Sequence, residues 1–143
     1  MKDIIKPLTV GYCSLLDGMV VDGKRITFYD MSADYDSLEP YILLNSIGTN
    51  NTNTRDSFDG TAVVHLTVFT AFDGDFGGAD LADAIGNEIL QRVIPAPGTT
   101  NIQAEGFNIM GAKLNDNRDY KSELPDRRIY EKVLVIEHLT EQL

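Results

Sequence analysis

The chain has 143 residues, a length at which one domain with a substantial core is expected. Its 22 acidic and 12 basic residues give a net charge of −10, which disfavours unaided nucleic-acid binding because neutralising phosphates requires clustered Lys and Arg. The single cysteine, Cys13, excludes an intrachain disulfide and a cysteine-based metal cluster, and no apolar run is long enough to span a bilayer.

The N-terminal part of the chain predicts a helix, two strands and a loop. At 100° per residue, the apolar side chains of residues 4–20 fall within one arc, as in an amphipathic helix, and this segment lacks the features of a signal peptide. Residues 24–31 alternate and predict a short strand with one wet face. Residues 41–47 are more continuously apolar and predict a central strand. Residues 48–60 contain almost no apolar side chains and predict an exposed, mobile loop.

Residues 61–72 predict a long strand that is apolar on one face and half apolar on the other. The first face carries Ala62, Val64, Leu66, Val68 and Phe72. The second carries Val63, His65, Phe69 and Ala71. Because a single layer of small helices covers only one face of a sheet, the second face indicates contact with a partner subunit.

The remaining chain predicts a helix and two strands. Residues 78–94 form an amphipathic helix that ends at Pro95, and residues 102–114 form a strand interrupted or bulged at Gly106 and Gly111. A second polar, mobile loop follows at 115–126, and residues 128–139 form a closing strand. We therefore expect one α+β domain over residues 1–143, with a mainly antiparallel sheet and both helices packed on one face.

The sequence contains no catalytic signature. In the acidic turn at 73–78, Asp73 and Asp75 match two ligand positions of an EF-hand loop, but Gly77 and Ala84 stand where further oxygen ligands are needed. His65 and His138 lie on predicted strands without metal-ligand spacing, which is typical of core or interface histidines. We expect no enzymatic activity, no metal and no cofactor; the weaker alternative is a metal-dependent hydrolase using Asp73, Asp75 and His65.

Several segments resemble the tail-completion and tail-terminator family of tailed bacteriophages, small neck proteins that form rings. These are the amphipathic N-terminal helix, PYILL at 40–44, LTVF at 66–69, DLADAI at 80–85 and VLVIEH at 133–138. The resemblance implies a virion structural protein of the tail or neck, assembled in the host bacterial cytoplasm. It also implies a ring of identical copies, a hexamer or dodecamer, that joins portal or adaptor proteins to tail-tube proteins and lets DNA pass.

Two sets of residues are the predicted contacts of such a ring. Subunits are expected to meet through Val63, His65, Phe69 and Ala71. The two loops are expected to reach neighbouring components through Thr49, Asn50, Asn51, Arg55, Asp56, Phe58, Arg118 and Tyr120. A different class of protein stays open from the residues alone, namely a small-molecule- or protein-binding α+β module unrelated to phage.

Overall fold

The computed structural model describes residues 1–31, 39–73 and 77–143, and within them the chain forms two helices and seven strands. The helices are α1 (Ile5–Leu16) and α2 (Asp80–Val93). The strands are β1 (Val20–Val21), β2 (Lys24–Arg25), β3 (Thr27–Asp30), β4 (Tyr41–Asn51), β5 (Asp59–Asp73), β6 (Phe107–Glu123) and β7 (Arg127–Gln142). None of the helices in these three segments is both long and apolar enough to cross a bilayer.

One five-stranded sheet in the order β3-β4-β5-β7-β6 forms the body of the molecule, and β1 and β2 form a separate two-stranded ribbon. The β3–β4 pair is parallel and the other three pairs are antiparallel. β5, which is apolar on one face and half apolar on the other, takes the middle position. β4 is interior only as far as Leu44, because β3 pairs with Tyr41–Leu44 and ends there. The expectation that residues 41–47 form a central strand is therefore only partly met.

Both helices pack on the same face of this sheet, which we call the inner face. The core between the layers joins Leu8 and Leu16 of α1, Ile85 and Ile89 of α2, and Leu66 of β5, all with fully buried side chains. Burying side chains of this size contributes about 1.5–3 kcal/mol each, which offsets the entropy of ordering the helices. The predicted α+β architecture, with two helices on one face of a mainly antiparallel sheet, is confirmed.

The first helix is shorter than its apolar pattern predicts. It ends at Leu16 instead of Val20, because the Asp17 side chain accepts a hydrogen bond from Phe28 N–H at 3.0 Å and Gly18 turns the chain with a φ of 78°. Met19 and Val20 therefore leave the helix axis while Met19 stays buried against the core. An apolar periodicity that continues past a turn does not distinguish the helix from the segment that follows it.

The predicted mobile loops at 48–60 and 115–126 are mostly strand, so both predictions are wrong in extent. β4 continues to Asn51 and β5 begins at Asp59, which leaves residues 52–58 as the connection. β6 continues to Glu123, leaving only residues 124–126 as a hairpin turn. Polar side chains concealed these strand ends, because backbone pairing with a neighbouring strand satisfies the N–H and C=O groups whichever side chains project from the sheet.

The start of β6 also differs from the prediction. Ile102 and Ala104 are buried in an extended segment ahead of the strand, and Gly106, with a φ of 83°, forms the turn that leads into it. The register with β7 shifts between Ile109 and Gly111, so the predicted bulge at Gly111 is confirmed. The interruption predicted at Gly106 is instead a turn outside the strand.

Candidate interaction surface

The sheet face turned away from the helices, here called the outer face, is the most extensive candidate site. On β5 the side chains at even positions from Ala62 to Thr70 are buried, whereas Val63, His65, Thr67 and Ala71 remain partly exposed. On β7 the even positions from Tyr130 to Thr140 are buried, and Ile129, Val133 and Val135 are partly exposed on the outer face. Within the described part of the chain the two helices contact the sheet only from the inner face. The described residues therefore leave the outer face open in the isolated subunit.

The four residues predicted as a subunit contact lie together on this face, on alternate positions of β5. Val63, His65 and Ala71 are half-buried, while Phe69 is 8% exposed. Phe69 loses its exposure because it stacks on Tyr41, with ring centroids 4.7 Å apart and planes 16° from parallel. Tyr29 meets Tyr41 edge-on at 5.5 Å. The parallel β3–β4 pairing brings Tyr29 into this aromatic row, and no local pattern in the sequence predicts that pairing.

The part of the outer face built from β4 and β5 carries no formal charge. No Asp, Glu, Lys or Arg occupies positions 41–50 of β4 or 61–71 of β5. We call this area the uncharged half. Charged side chains begin on β7, with Glu131 and Glu137, and continue on β6, with Lys113, Asp116 and Arg118. In a chain with 34 charged residues, a large charge-free area indicates a surface that excludes water on contact with another molecule.

Glu131 lies at the border of the uncharged half, opposite Phe69 on one side and Tyr120 on the other. Burial raises the pKa of its carboxyl group above the ordinary value. The ionised carboxylate is thus poorly solvated in this position. Period-two alternation along β7 was the signal in the sequence that could have found Glu131, Val133 and Val135 as members of the outer face.

The two histidines have different surroundings. His65 is half-buried on the outer face, whereas His138 is fully buried, with Nδ1 donating to the carbonyl oxygen of Gly111 at 3.2 Å. Because a carbonyl can only accept, Nδ1 carries the proton and Nε2 accepts from the Tyr12 hydroxyl at 2.5 Å. Burial lowers the pKa of His138 to about 4. This pair holds α1 on the sheet, and the core-or-interface interpretation of the histidines is confirmed for His138.

A second polar cluster fixes α2. Lys132 is only 8% exposed. Its ammonium group lies 3.2 Å from the Asp83 carboxylate of α2. It also lies 3.0 Å from the Asp119 carboxylate and 3.0 Å from the side-chain oxygen of Asn117, both on β6. Its aliphatic chain passes directly over Gly86, where an added Cβ would lie 2.3 Å from Lys132 Cδ. The carboxylates and the amide oxygen are thus already satisfied by an internal cation.

The residues assigned to mobile assembly loops are divided among three elements. Thr49, Asn50 and Asn51 are the exposed end of β4, and Arg118 and Tyr120 are exposed on β6. The prediction that these five belong to loops is wrong, because both strands extend past the point where their apolar pattern ends. Arg55, Asp56 and Phe58 do lie in the connection at 52–58.

Phe58 borders a shallow groove of about 390 Å³ that it shares with the N-terminus. The groove is also lined by Met1, Ile4, Phe107 and Gln142. It lies at the end of the sheet where β4 ends and β6 begins.

Two residues of the alternative hydrolase, His65 and Asp73, are not brought together. His65 and Asp73 lie eight positions apart on one strand, roughly 26 Å at the ordinary rise per residue. Asp75 lies outside the described residues. Within residues 1–31, 39–73 and 77–143, no group of three or more His, Cys, Asp or Glu side chains is placed to hold a metal ion. Cys13 is half-buried and packs against the core.

Comparison with known proteins shows which solved structures share this fold. No protein-family model and no curated protein sequence matches the chain. Among solved structures, a chain of the virion of a native gene transfer agent particle superposes with a TM-score of 0.73 at 15% sequence identity, and 99% of each chain is covered. At this identity the similarity establishes the fold alone. The chain therefore has, over nearly its whole length, the fold of a protein found in that particle.

Proposed function

We propose that this protein is a structural subunit of a phage-type virion and acts without chemistry of its own. The observation that carries the proposal is the match of nearly the entire chain to a chain of a gene transfer agent virion. The open, uncharged half of the outer face supports the same proposal, because a surface of this kind is expected to be covered in an assembly.

Within the virion, we propose that the protein forms a ring at the neck or tail, as a tail terminator, tail-completion protein or connector. The ring would contain six or twelve identical copies, contact portal, adaptor or tail-tube proteins, and assemble in the cytoplasm of a bacterial host. Support comes from the resemblance of its helix and strand segments to that family. The charge of −10 also suits a ring through which DNA passes, because DNA gains no counterion release on an acidic wall.

The role of the outer face follows from this proposal. Val63, His65, Phe69 and Ala71 contribute to a surface that a neighbouring subunit of the virion covers. Arg55, Asp56 and Phe58 at the 52–58 connection, together with the exposed ends of β4 and β6, reach adjacent components. Apart from Phe69, which is 8% exposed, all of these residues are exposed or half-buried in the isolated chain.

A pair of matched variants tests the proposal. Val63→Asp places a charge in the uncharged half, whereas Val20→Asp places the same charge on the exposed ribbon, where the valine is 63% exposed. We expect the unmodified chain and Val20→Asp to form rings by mass photometry and negative-stain microscopy, or to incorporate into purified particles. Val63→Asp should fail to incorporate into particles, because the neighbouring subunit that covers the outer face would bury an unpaired carboxylate at a cost of several kcal/mol.

Thermal unfolding of both variants separates an assembly defect from a folding defect. A native-like melting temperature for Val63→Asp with lost assembly supports the proposal. If the unmodified chain stays monomeric at all concentrations and enters no particle, the ring is contradicted, and a binding module of the same fold becomes the better interpretation. Equal assembly of Val63→Asp and the unmodified chain would remove the outer face from the contact.

A further inference from the structure

We propose that neighbouring copies of this chain join edge to edge, with the free end of β4 (residues 45–51) pairing with the beginning of β6 (residues 107–112) of the next copy. The inference rests on the proposed ring and adds to it the lateral contact between copies. It concerns the two edges of the sheet and is separate from the outer face, which would then be continuous from copy to copy.

Among residues 1–31, 39–73 and 77–143, no strand pairs with the free edge of β4 beyond the end of β3. The last backbone bond on that side runs from Met31 N–H to the carbonyl of Leu44. Further along, Thr52 N–H donates to Asp59 O across the β4–β5 pair, so Thr52 faces β5. Because successive residues of a strand alternate in direction, Ile47, Thr49 and Asn51 present their backbone groups to the free edge. In the described part of the chain these groups have no backbone partner.

The edge of β6 is open on the other side of the sheet. Leu143 N–H donates to Gly106 O, so Gly106 and, by alternation, Asn108 face β7. Phe107 N–H donates to the carbonyl oxygen of Ala104, and Ile109 presents its backbone groups to the free edge of the sheet. Among the described residues no strand other than β7 pairs with β6 between Phe107 and Glu123. Counting only the residues that the structure describes, the sheet therefore has two unpaired edges at its opposite margins.

The two edges are free of charged side chains in matching places, and each carries one bulge, between Leu44 and Ser46 on β4 and between Ile109 and Gly111 on β6. Natural proteins blunt exposed edges with charges, bulges or a covering strand. β6 carries six charged residues between Lys113 and Glu123, and β3 covers the first part of β4. By contrast, neither residues 45–51 of β4 nor residues 107–112 of β6 contain a charged side chain. One row of the sheet joins Asn50 through Thr61 and Leu139 to Gly111, so both uncharged stretches lie toward the same end.

Strand direction and charge identify the occupant as a second copy. Three successive antiparallel pairings make β4 and β6 run in opposite directions. Copies related by rotation about an axis near the strand direction would then pair β4 with β6 in antiparallel fashion, a heterologous contact that closes into a ring. At a charge of −10 per copy, like-charge repulsion favours contact through the charge-free stretches of each edge.

Disulfide trapping tests this contact. In a Cys13→Ser background, Asn50→Cys is combined with Asn108→Cys, since both side chains are exposed and lie on the outer face. A second pair, Gly48→Cys with Asn108→Cys, samples a register shifted by two residues. Cross-strand neighbours have Cβ atoms about 4.5–5.5 Å apart, close enough for a disulfide after small adjustment. We expect a ladder of covalent multimers on mild oxidation in at least one pair.

The control pair is Asn50→Cys with Ser122→Cys, which places the second thiol at the charged end of the same strand and face. It should give no ladder. Equal ladders in test and control pairs, or dimers from Asn50→Cys alone, overturn the inference. Rings in mass photometry without a pair-specific ladder contradict the edge contact while leaving the ring intact. Absence of both rings and ladder contradicts the inference together with the proposed function.

Discussion

The imidazole of His138 is held neutral between α1 and β6, and this makes the stability of the fold depend on pH. Its folded pKa is lowered to about 4, whereas a histidine in an unfolded chain protonates near 6.5. As the pH falls below 6.5, the unfolded chain takes up a proton that the folded chain does not. The contribution of His138 to the free energy of unfolding is therefore fully present above the unfolded pKa and is lost as the pH falls toward 4.

We expect the free energy of unfolding to fall by roughly 3 kcal/mol between about pH 7 and pH 4 from this group alone. Urea unfolding of the native chain and of His138→Gln across this range measures the effect, because the variant lacks the titrating group. The difference between the two should shrink as the pH is lowered. A constant difference would show that the pKa of His138 is the same in the folded and unfolded chain.

The pKa of Glu131 is shifted upward, in the opposite direction to that of His138. Burial raises the pKa of its carboxyl group, so the folded state binds the proton more tightly than the unfolded state and loses stability as the pH rises through the folded pKa. Glu131→Gln is expected to stabilise the isolated chain at pH 7 and to have no effect well below the unfolded pKa. Thermal unfolding at both pH values checks this. Destabilisation by Glu131→Gln at pH 7 would contradict it.

Among the elements, α2 depends on the close passage of Lys132 over Gly86. Replacing a helical glycine with alanine ordinarily gains about 1 kcal/mol. Here the new Cβ would lie 2.3 Å from Lys132 Cδ, and two ion pairs hold that side chain in place. We expect Gly86→Ala to destabilise the native chain by about 1–3 kcal/mol, as overpacking does.

A double-mutant cycle isolates this contact. In a Lys132→Ala background the space above residue 86 is empty, so Gly86→Ala should become neutral or stabilising. Urea unfolding of the four proteins gives the coupling energy. Equal costs of Gly86→Ala in both backgrounds would show that the helix backbone, and not Lys132, limits residue 86.

At the scale of the whole molecule, the charge of −10 opposes association of copies. Screening shortens the range of this repulsion from about 30 Å at 0.01 M salt to about 8 Å at 0.15 M. We therefore expect the fraction of assembled chain to increase over this range when measured by mass photometry at fixed protein concentration. Assembly that weakens with salt would indicate that complementary charges, and not the uncharged surfaces, hold the copies together.

The sequence alone determined the fold class and most of the element order. Period-two alternation over residues 61–72 identified β5 and its two faces, and the apolar arc over 78–94 identified α2 to within two residues at its start and one at its end. The four outer-face residues of β5 followed from the same alternation. Local periodicity sufficed because burial on one side of an element imposes its own period on the side chains.

Pairing between distant strands decided the rest, and only the tertiary structure contains it. The ends of β4 and β6 are strands because β5 and β7 satisfy their backbones, although their polar side chains predict loops. Tyr29 and Tyr41 join Phe69 through the register of three strands, and His138 meets Tyr12 across 126 positions of the chain. The uncharged half of the outer face and the two open edges likewise exist only once the strand order is set, because each combines residues that no local pattern relates.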